Sequence, residues 1–324
     1  MIQMYFDKII KGELALDEIK KFLMDLKARG ETSGDISEAA RALLAAARPF
    51  PRPDYLFADL VGTGGDEQGT YNISTAASLV TAAMGLPVAK HGNRSVSSKC
   101  GSADVLMSLG ANLEMPAELS RRSLDDIGFC FLLAPLYHPG MKHAAAARKA
   151  LGVRTIFNVL GPLVNPARPP VQLTGVYKPE LCRPMAETLQ RLGVDKALVV
   201  HGGGLDEIAI HAPTTVMILL AGEITQVQWQ PFEHHSIEEI RGGEPAENAA
   251  WLQRLLKGKA APAQSQAVAL NAGALVALSR AQNAQDLGEN SRQTGYEEAL
   301  DTIYSGKAYD KLDAFITYSR EQAV

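Results

Sequence analysis

Along the first third of the chain, Leu14, Leu16, Ile19, Phe22, Leu23 and Leu26 recur at helical spacing with Asp17, Glu18, Lys20 and Lys21 between them. That pattern predicts an amphipathic helix over residues 14–27, closed by Gly30. A second helix is expected over residues 34–47, with Ile36, Ala40, Leu43 and Leu44 on one face and Ser33 capping its start. Pro49, Pro51 and Pro53 end this helical opening. From Phe57 the period changes. Short apolar runs at 57–61 and 87–89 each meet a polar loop, followed by helices over about 75–84 and 103–109. Runs at 129–133, 171–177 and, after a helix over 184–192, 196–200 repeat the scheme. Strand, loop and helix in alternation predict a mainly parallel sheet. Residues 216–220 and 224–227 flank Gly222 and read as a hairpin, and residues 264–281 and 297–304 as helices. The expected class is α/β: a small all-helical domain plus a larger α/β domain. The helical domain takes residues 1–56, with about 138–165 packing on it; residues 57–137 and 166–324 form the α/β domain.

Composition narrows the function classes. A chain of 324 residues with net charge −4 and 46% hydrophobic content is ordinary for a soluble protein, and its length suits two domains. An acidic balance leaves no basic footprint for nucleic acid. No apolar run approaches the ~20 residues of a membrane span, and the N-terminus meets charge before any leader-like core. Cys100, Cys130 and Cys182 are odd in number and widely spaced, which reads as reduced thiols in a cytoplasmic protein.

Three polar loops carry the candidate chemistry. In the first, Gly62-Thr63-Gly64-Gly65-Asp66 is followed by Thr70-Tyr71-Asn72-Ile73-Ser74-Thr75. Clustered glycines let backbone N–H groups converge on an anion, and a hydroxyl-rich helix start adds more donors. No Gly-Lys-Ser/Thr follows, so it is not a Walker loop. The second runs Lys90-His91-Gly92-Asn93-Arg94-Ser95-Val96-Ser97-Ser98 to Ser102, and its cations and hydroxyls suit a phosphate. Two such loops after neighbouring strands share one sheet edge and point to a ligand with two separated phosphate groups. The third, after the strand at 196–200, holds Asp206 and Glu207 among glycines, oxygen ligands of the kind Mg²⁺ takes. Between the second and third loops, His138 precedes a helix bearing Arg148, placed for a carboxylate partner, and the run Arg154-Thr155-Ile156-Phe157-Asn158 leads to Gly161.

Taken together and in order, these blocks resemble the anthranilate phosphoribosyltransferases over roughly residues 8–320. The resemblance implies that Gly62, Gly65, Asp66, Thr70, Asn72, Ile73, Ser74 and Thr75 hold the diphosphate of phosphoribosyl diphosphate. Lys90, His91, Gly92, Asn93, Arg94, Ser95, Val96, Ser97, Ser98 and Ser102 would surround its ribose and 5-phosphate. It further implies two Mg²⁺ per subunit, one at Ser74 and one at Asp206 and Glu207. Gly62, Asn93, His138, Arg148 and Gly161 would line the anthranilate channel. A homodimer is implied, and chemistry with neither a covalent nucleophile nor a single essential base. Gly140 stands where the family commonly has alanine, a difference expected to matter little. Two other readings share parts of the pattern. A pyrimidine nucleoside phosphorylase would carry a Ser-Gly-Arg-Gly run that this chain lacks, and a silent nucleic-acid-binding paralogue would carry a basic face.

Overall fold

The computed structural model describes residues 1–95 and 99–321. Its opening is helical: α1 (Ile2–Lys11), α2 (Leu16–Arg29) and α3 (Ser33–Ala45). Helix α1 is absent from the periodicity reading, although Ile2, Phe6 and Ile9 lie one turn apart and are buried. The start of α3 also differs from expectation. Thr32, not Ser33, is the cap: its hydroxyl accepts from Asp35 N at 3.2 Å, and the Asp35 carboxylate accepts from Thr32 N at 2.9 Å. Gly140 is more constrained than the resemblance suggests. A Cβ there would stand 2.5 Å from Ile10 Cγ2 and 2.7 Å from the Ile10 carbonyl oxygen, so its absence lets α1 pack closely.

Seven strands follow among the described residues: β1 (Ala58–Gly62), β2 (Val88–Gly92), β3 (Phe129–Leu133), β4 (Val171–Gly175), β5 (Lys196–Gly202), β6 (Thr214–Leu220) and β7 (Glu223–Trp229). They form one sheet in the order β3-β2-β1-β4-β5-β6-β7. The first five are parallel and the β6–β7 hairpin adds antiparallel, as the run pattern predicts. Its two-residue turn puts Ala221 at φ 51° and Gly222 at φ 77°, the left-handed pair that a tight hairpin requires. Between β1 and β3 the chain runs through α4 (Ile73–Ala83), α5 (Ser102–Ser108) and α6 (Ala117–Ile127). Between β3 and β5 come α7 (Ala134–Tyr137), α8 (Lys142–Leu151), α9 (Phe157–Leu160) and α10 (Cys182–Arg191). Helices α11 (Pro245–Leu256), α12 (Pro262–Arg280), α13 (Glu289–Tyr304) and α14 (Lys307–Glu321) finish the chain.

Alternate residues of each strand feed different cores, as the two-residue period demands. Leu60, Val88, Phe131, Leu173 and Leu198 pack with α4 and the nearly all-buried α12. On the opposite face, Val199, Met217 and Leu219 join α10, the α1–α3 helices and residues of α8 and α9 in one continuous apolar cluster. Chain order reverses between β1 and β4: β1 to β3 build outward one way, β4 to β7 the other. At such a reversal the loops leaving the strands diverge and open a crevice at their C-terminal ends.

Candidate active site

Gly62 ends β1 and pairs with Gly175 at the end of β4, directly at that reversal. The chain leaving β5 folds back across both. A Cβ on Gly62 would overlap the Asp206 carboxylate, and one on Gly175 the Asp206 backbone carbonyl. Both glycines therefore exist to admit Asp206. Its carboxylate accepts from Gly64 N at 2.7 Å, which ties the acidic loop to the glycine turn. Gly64 and Gly65, at φ 65° and 75°, supply the left-handed turn.

Glu207, 6% exposed, reaches the start of α4. There it accepts from Ser74 N at 3.1 Å and from the Ser74 hydroxyl by a short hydrogen bond. A carboxylate thus sits where a helix start attracts an anion. The amides there are not free donors as expected: Ile73 N donates to Tyr71 O and Thr75 N to Asn72 O. Ile73 and Thr75 are 2% and 1% exposed, so their side chains are packing, not lining. Asn72 is held from two sides, donating to Cys100 O at 3.2 Å and accepting from Asn248 at 2.9 Å. Thr70 bridges to Arg241, and Tyr71 stacks on Trp251 at 4.3 Å, so α11 and the segment before it brace this loop.

The acids crowd one another. Burial, then the neighbouring Asp66, raises the Asp206 pKa. Burial, then Asp206, raises that of Glu207, and burial raises that of Asp66. Among the described residues nothing hydrogen-bonds the buried Glu207 Oε2. An orphaned carboxylate oxygen beside two further acids fits a divalent cation. Among the described residues no three His, Cys, Asp or Glu side chains form a metal cage. Mg²⁺ needs none, since it takes one or two carboxylates and completes its shell with water and phosphate.

The second loop is shorter than the sequence suggests, because Lys90, His91 and Gly92 belong to β2. Lys90 is no loop cation: it is 2% exposed and its ammonium donates to Leu60 O at 2.6 Å. The buried Asp59 opposes the desolvation that lowers its pKa. Asn165 in turn donates to Asp59 at 2.8 Å, so a buried polar network underlies the site. A Cβ on Gly92 would strike the Phe131 ring and the Ser102 hydroxyl. Asn93 and Arg94 are exposed, and Ser95 N donates to Asp104 at 2.8 Å. Ser102 opens α5 with its hydroxyl 3.3 Å from Asn93 O. Val96, Ser97 and Ser98 lie outside the described residues.

His91, His138 and Gly161 meet at one wall. His91 Nδ1 lies 3.2 Å from Gly161 O, His138 Nε2 lies 2.7 Å from Val164 O, and the rings cross at 5.5 Å. As donors through those atoms, both rings leave a buried nitrogen without a partner among the described residues, His91 Nε2 and His138 Nδ1. Burial, then the His138 charge, lowers the His91 pKa to about 3. A histidine depressed in the fold contributes stability above its unfolded value of ~6.5, and loses it as pH falls toward 3. Urea unfolding should therefore show roughly 2–3 kcal/mol lost from His91 between pH 6.5 and 4.5, a slope that His91→Gln flattens. An unchanged slope in the variant contradicts the neutral assignment. Arg148 reaches the helix that leads to Gly161, its guanidinium 5.4 Å from the Phe157 ring centre. Burial lowers its pKa, and no carboxylate among the described residues offsets that.

Residues 54–309 match the family described as "Glycosyl transferase family, a/b domain". The anthranilate phosphoribosyltransferase of Sorangium cellulosum (strain So ce56) is 52% identical over 322 residues, covering 98% of this chain and 90% of that protein. The chain belongs to the anthranilate phosphoribosyltransferase family. Members of the family join the phosphoribosyl group of phosphoribosyl diphosphate to the amine of anthranilate, and so does this enzyme. The family's crystal structure from Thermus thermophilus superposes with a TM-score of 0.91 at 40% identity, covering 98% of this chain and 94% of that one. The Saccharomyces cerevisiae enzyme "in complex with PRPP and Mg" gives 0.85 at 30% identity, covering 94% and 86%. No helix among the described residues is long and apolar enough to cross a membrane.

Several supporting residues escape the sequence reading. Asp104 is visible at the end of the second loop but its role is not: three residues after Gly101 its carboxylate reaches back to the helix start and accepts from Gly101 N at 2.9 Å. Asn248 and Trp251 give no local signal at all.

Proposed function

We propose that the crevice over Gly62 and Gly175 takes Mg²⁺ and phosphoribosyl diphosphate, with anthranilate against the His138–Arg148–Gly161 wall. The observation that carries this reading is the carboxylate of Glu207 on Ser74 at the start of α4, beside Asp206 and Asp66. The diphosphate then belongs to the Gly62–Asp66 turn with Thr70, Asn72 and Ser74. The 5-phosphate belongs to the Asn93–Ser102 loop, and Lys90 acts from beneath by holding β1 and β2 in register. Asp206, Glu207 and Ser74 are the residues that would hold Mg²⁺, two ions per subunit. Bound there, Mg²⁺ neutralises the diphosphate and eases its departure.

This chain's own groups supply the rest. The glycine turn offers backbone dipoles to the leaving diphosphate without reorganising. An aryl amine is neutral at pH 7, so its lone pair needs orientation more than deprotonation. The orphaned His91 and His138 nitrogens accept hydrogen bonds from a donor placed between the wall and the crevice. Arg148, half-buried and without a described carboxylate partner, gains one in the anthranilate carboxylate. Arg148→Ala should raise the KM for anthranilate about 10²-fold, with that for phosphoribosyl diphosphate changed less than about threefold. Steady-state kinetics in both substrates check this; equal loss of both contradicts the carboxylate role.

The chain is further read as a cytoplasmic homodimer in tryptophan biosynthesis. Buried free thiols at Cys100, Cys130 and Cys182 support a reducing compartment, and exposed Met4 and Leu16 on α1 and α2 support a subunit contact there. The helical elements 1–56 with 138–165 are read as one body closing on the remainder.

A further inference from the structure

Arg154 lies between α8, which carries Arg148, and the segment that reaches Gly161. Its backbone carbonyl accepts from Lys27 of α2 at 2.8 Å, which ties this stretch to the helical opening. Its side chain points the other way, into the glycine turn. The guanidinium donates to the Gly65 carbonyl and pairs with Glu67 at 2.5 Å, lying 4.4 Å from the Tyr177 ring centre. Tyr177 N donates to Thr63 Oγ1 at 3.1 Å, so the ring under Arg154 is itself fastened to the turn. Glu67 holds φ 63°, a left-handed conformation that glycine adopts freely and a residue with a Cβ does not. A carboxylate kept there despite that strain is explained by its partner.

We propose that Arg154 is a positioning residue for the leaving diphosphate. In a trans peptide the carbonyl and the next N–H point in opposite directions. Holding the Gly65 carbonyl toward Arg154 therefore turns the Asp66 N–H away from it. On the other flank, Asp206 holds Gly64 N at 2.7 Å. The turn is clamped from both sides, with its donors fixed before the ligand arrives. Because Arg154 shares a segment with Arg148 and Gly161, the clamp also links the aromatic substrate's wall to the diphosphate loop. A planar guanidinium can serve the carbonyl, the carboxylate and the ring together, which an ammonium cannot.

This inference rests on the substrate placement proposed above, and the test separates the two. Steady-state kinetics would be run on the parent, Arg154→Ala, Arg154→Lys and Glu67→Gln, with Mg²⁺-pyrophosphate affinity measured by calorimetry as a probe of the turn alone. Arg154→Ala should lower kcat/KM for phosphoribosyl diphosphate about 10²-fold and weaken pyrophosphate binding, with the anthranilate KM within about threefold. Arg154→Lys should lose about tenfold and Glu67→Gln about threefold, since each keeps part of the clamp. If Arg154→Ala fails to fold, the graded losses in Arg154→Lys and Glu67→Gln decide the matter. Unchanged pyrophosphate affinity in folded Arg154 variants, or a loss confined to anthranilate, overturns the assignment. A parent that neither binds Mg²⁺-pyrophosphate nor consumes anthranilate overturns the substrate placement itself.

Discussion

The paired variant Asp206→Asn, Glu207→Gln should turn over about 10³-fold more slowly than the parent at saturating substrates, with no rescue by added Mg²⁺. Its fold should persist. Each amide oxygen can still accept the Gly64 or Ser74 donors that the carboxylates take now. Burial raises the pKa of all three acids, and Asp66 and Asp206 raise it further at Glu207; the variant leaves one acid and two neutral groups, so the thermal midpoint in EDTA should equal or exceed the parent's. What disappears is the negative charge and the unpartnered Glu207 Oε2. Turnover near the parent's level would place the metal elsewhere, and a collapsed midpoint would make the pair structural.

Gly175→Ala should be nearly as damaging, by a different route. The added Cβ overlaps the backbone carbonyl of Asp206, a rigid group with no rotamer by which to move aside. Either β4 or the acidic loop must shift, and Asp206 then leaves Gly64. Unfolding free energy should fall by about 2–3 kcal/mol and turnover by about 10²-fold. Gly85→Ala is the matched control. Gly85 has φ 94° with nothing near its missing Cβ, so the substitution should cost about 1 kcal/mol of backbone strain and leave turnover unchanged. Denaturant unfolding with paired activity assays checks both; a Gly175→Ala enzyme with full activity contradicts the close approach.

How much of this was legible in the sequence depended on whether the signal was local. Runs such as 129–133 and 196–200 are strands because four or five apolar residues in a row need both sheet faces covered. The hairpin announced itself through Gly222. Helix α1 was passed over because its apolar positions lie in the first ten residues, where the pattern has no flank to contrast with. Lys90 read as a phosphate-seeking cation because its neighbours His91-Gly92-Asn93-Arg94 are polar. Only its contact with Leu60, thirty residues away, shows it to be internal. The glycine turn and the Asp206-Glu207 pair were each visible, but not that one folds onto the other, which follows from the strand order reversing between β1 and β4. Arg154 and Gly65, or Asn248 and Asn72, are joined across so much chain that no spacing rule reaches them.

Anthranilate fluorescence followed after mixing with enzyme, phosphoribosyl diphosphate and MgCl₂ tests the central claim most directly. The signal should decay only when all three components are present with anthranilate, and should stay flat with the Asp206→Asn, Glu207→Gln enzyme. Decay without Mg²⁺, or a flat trace from the folded parent, would contradict the account.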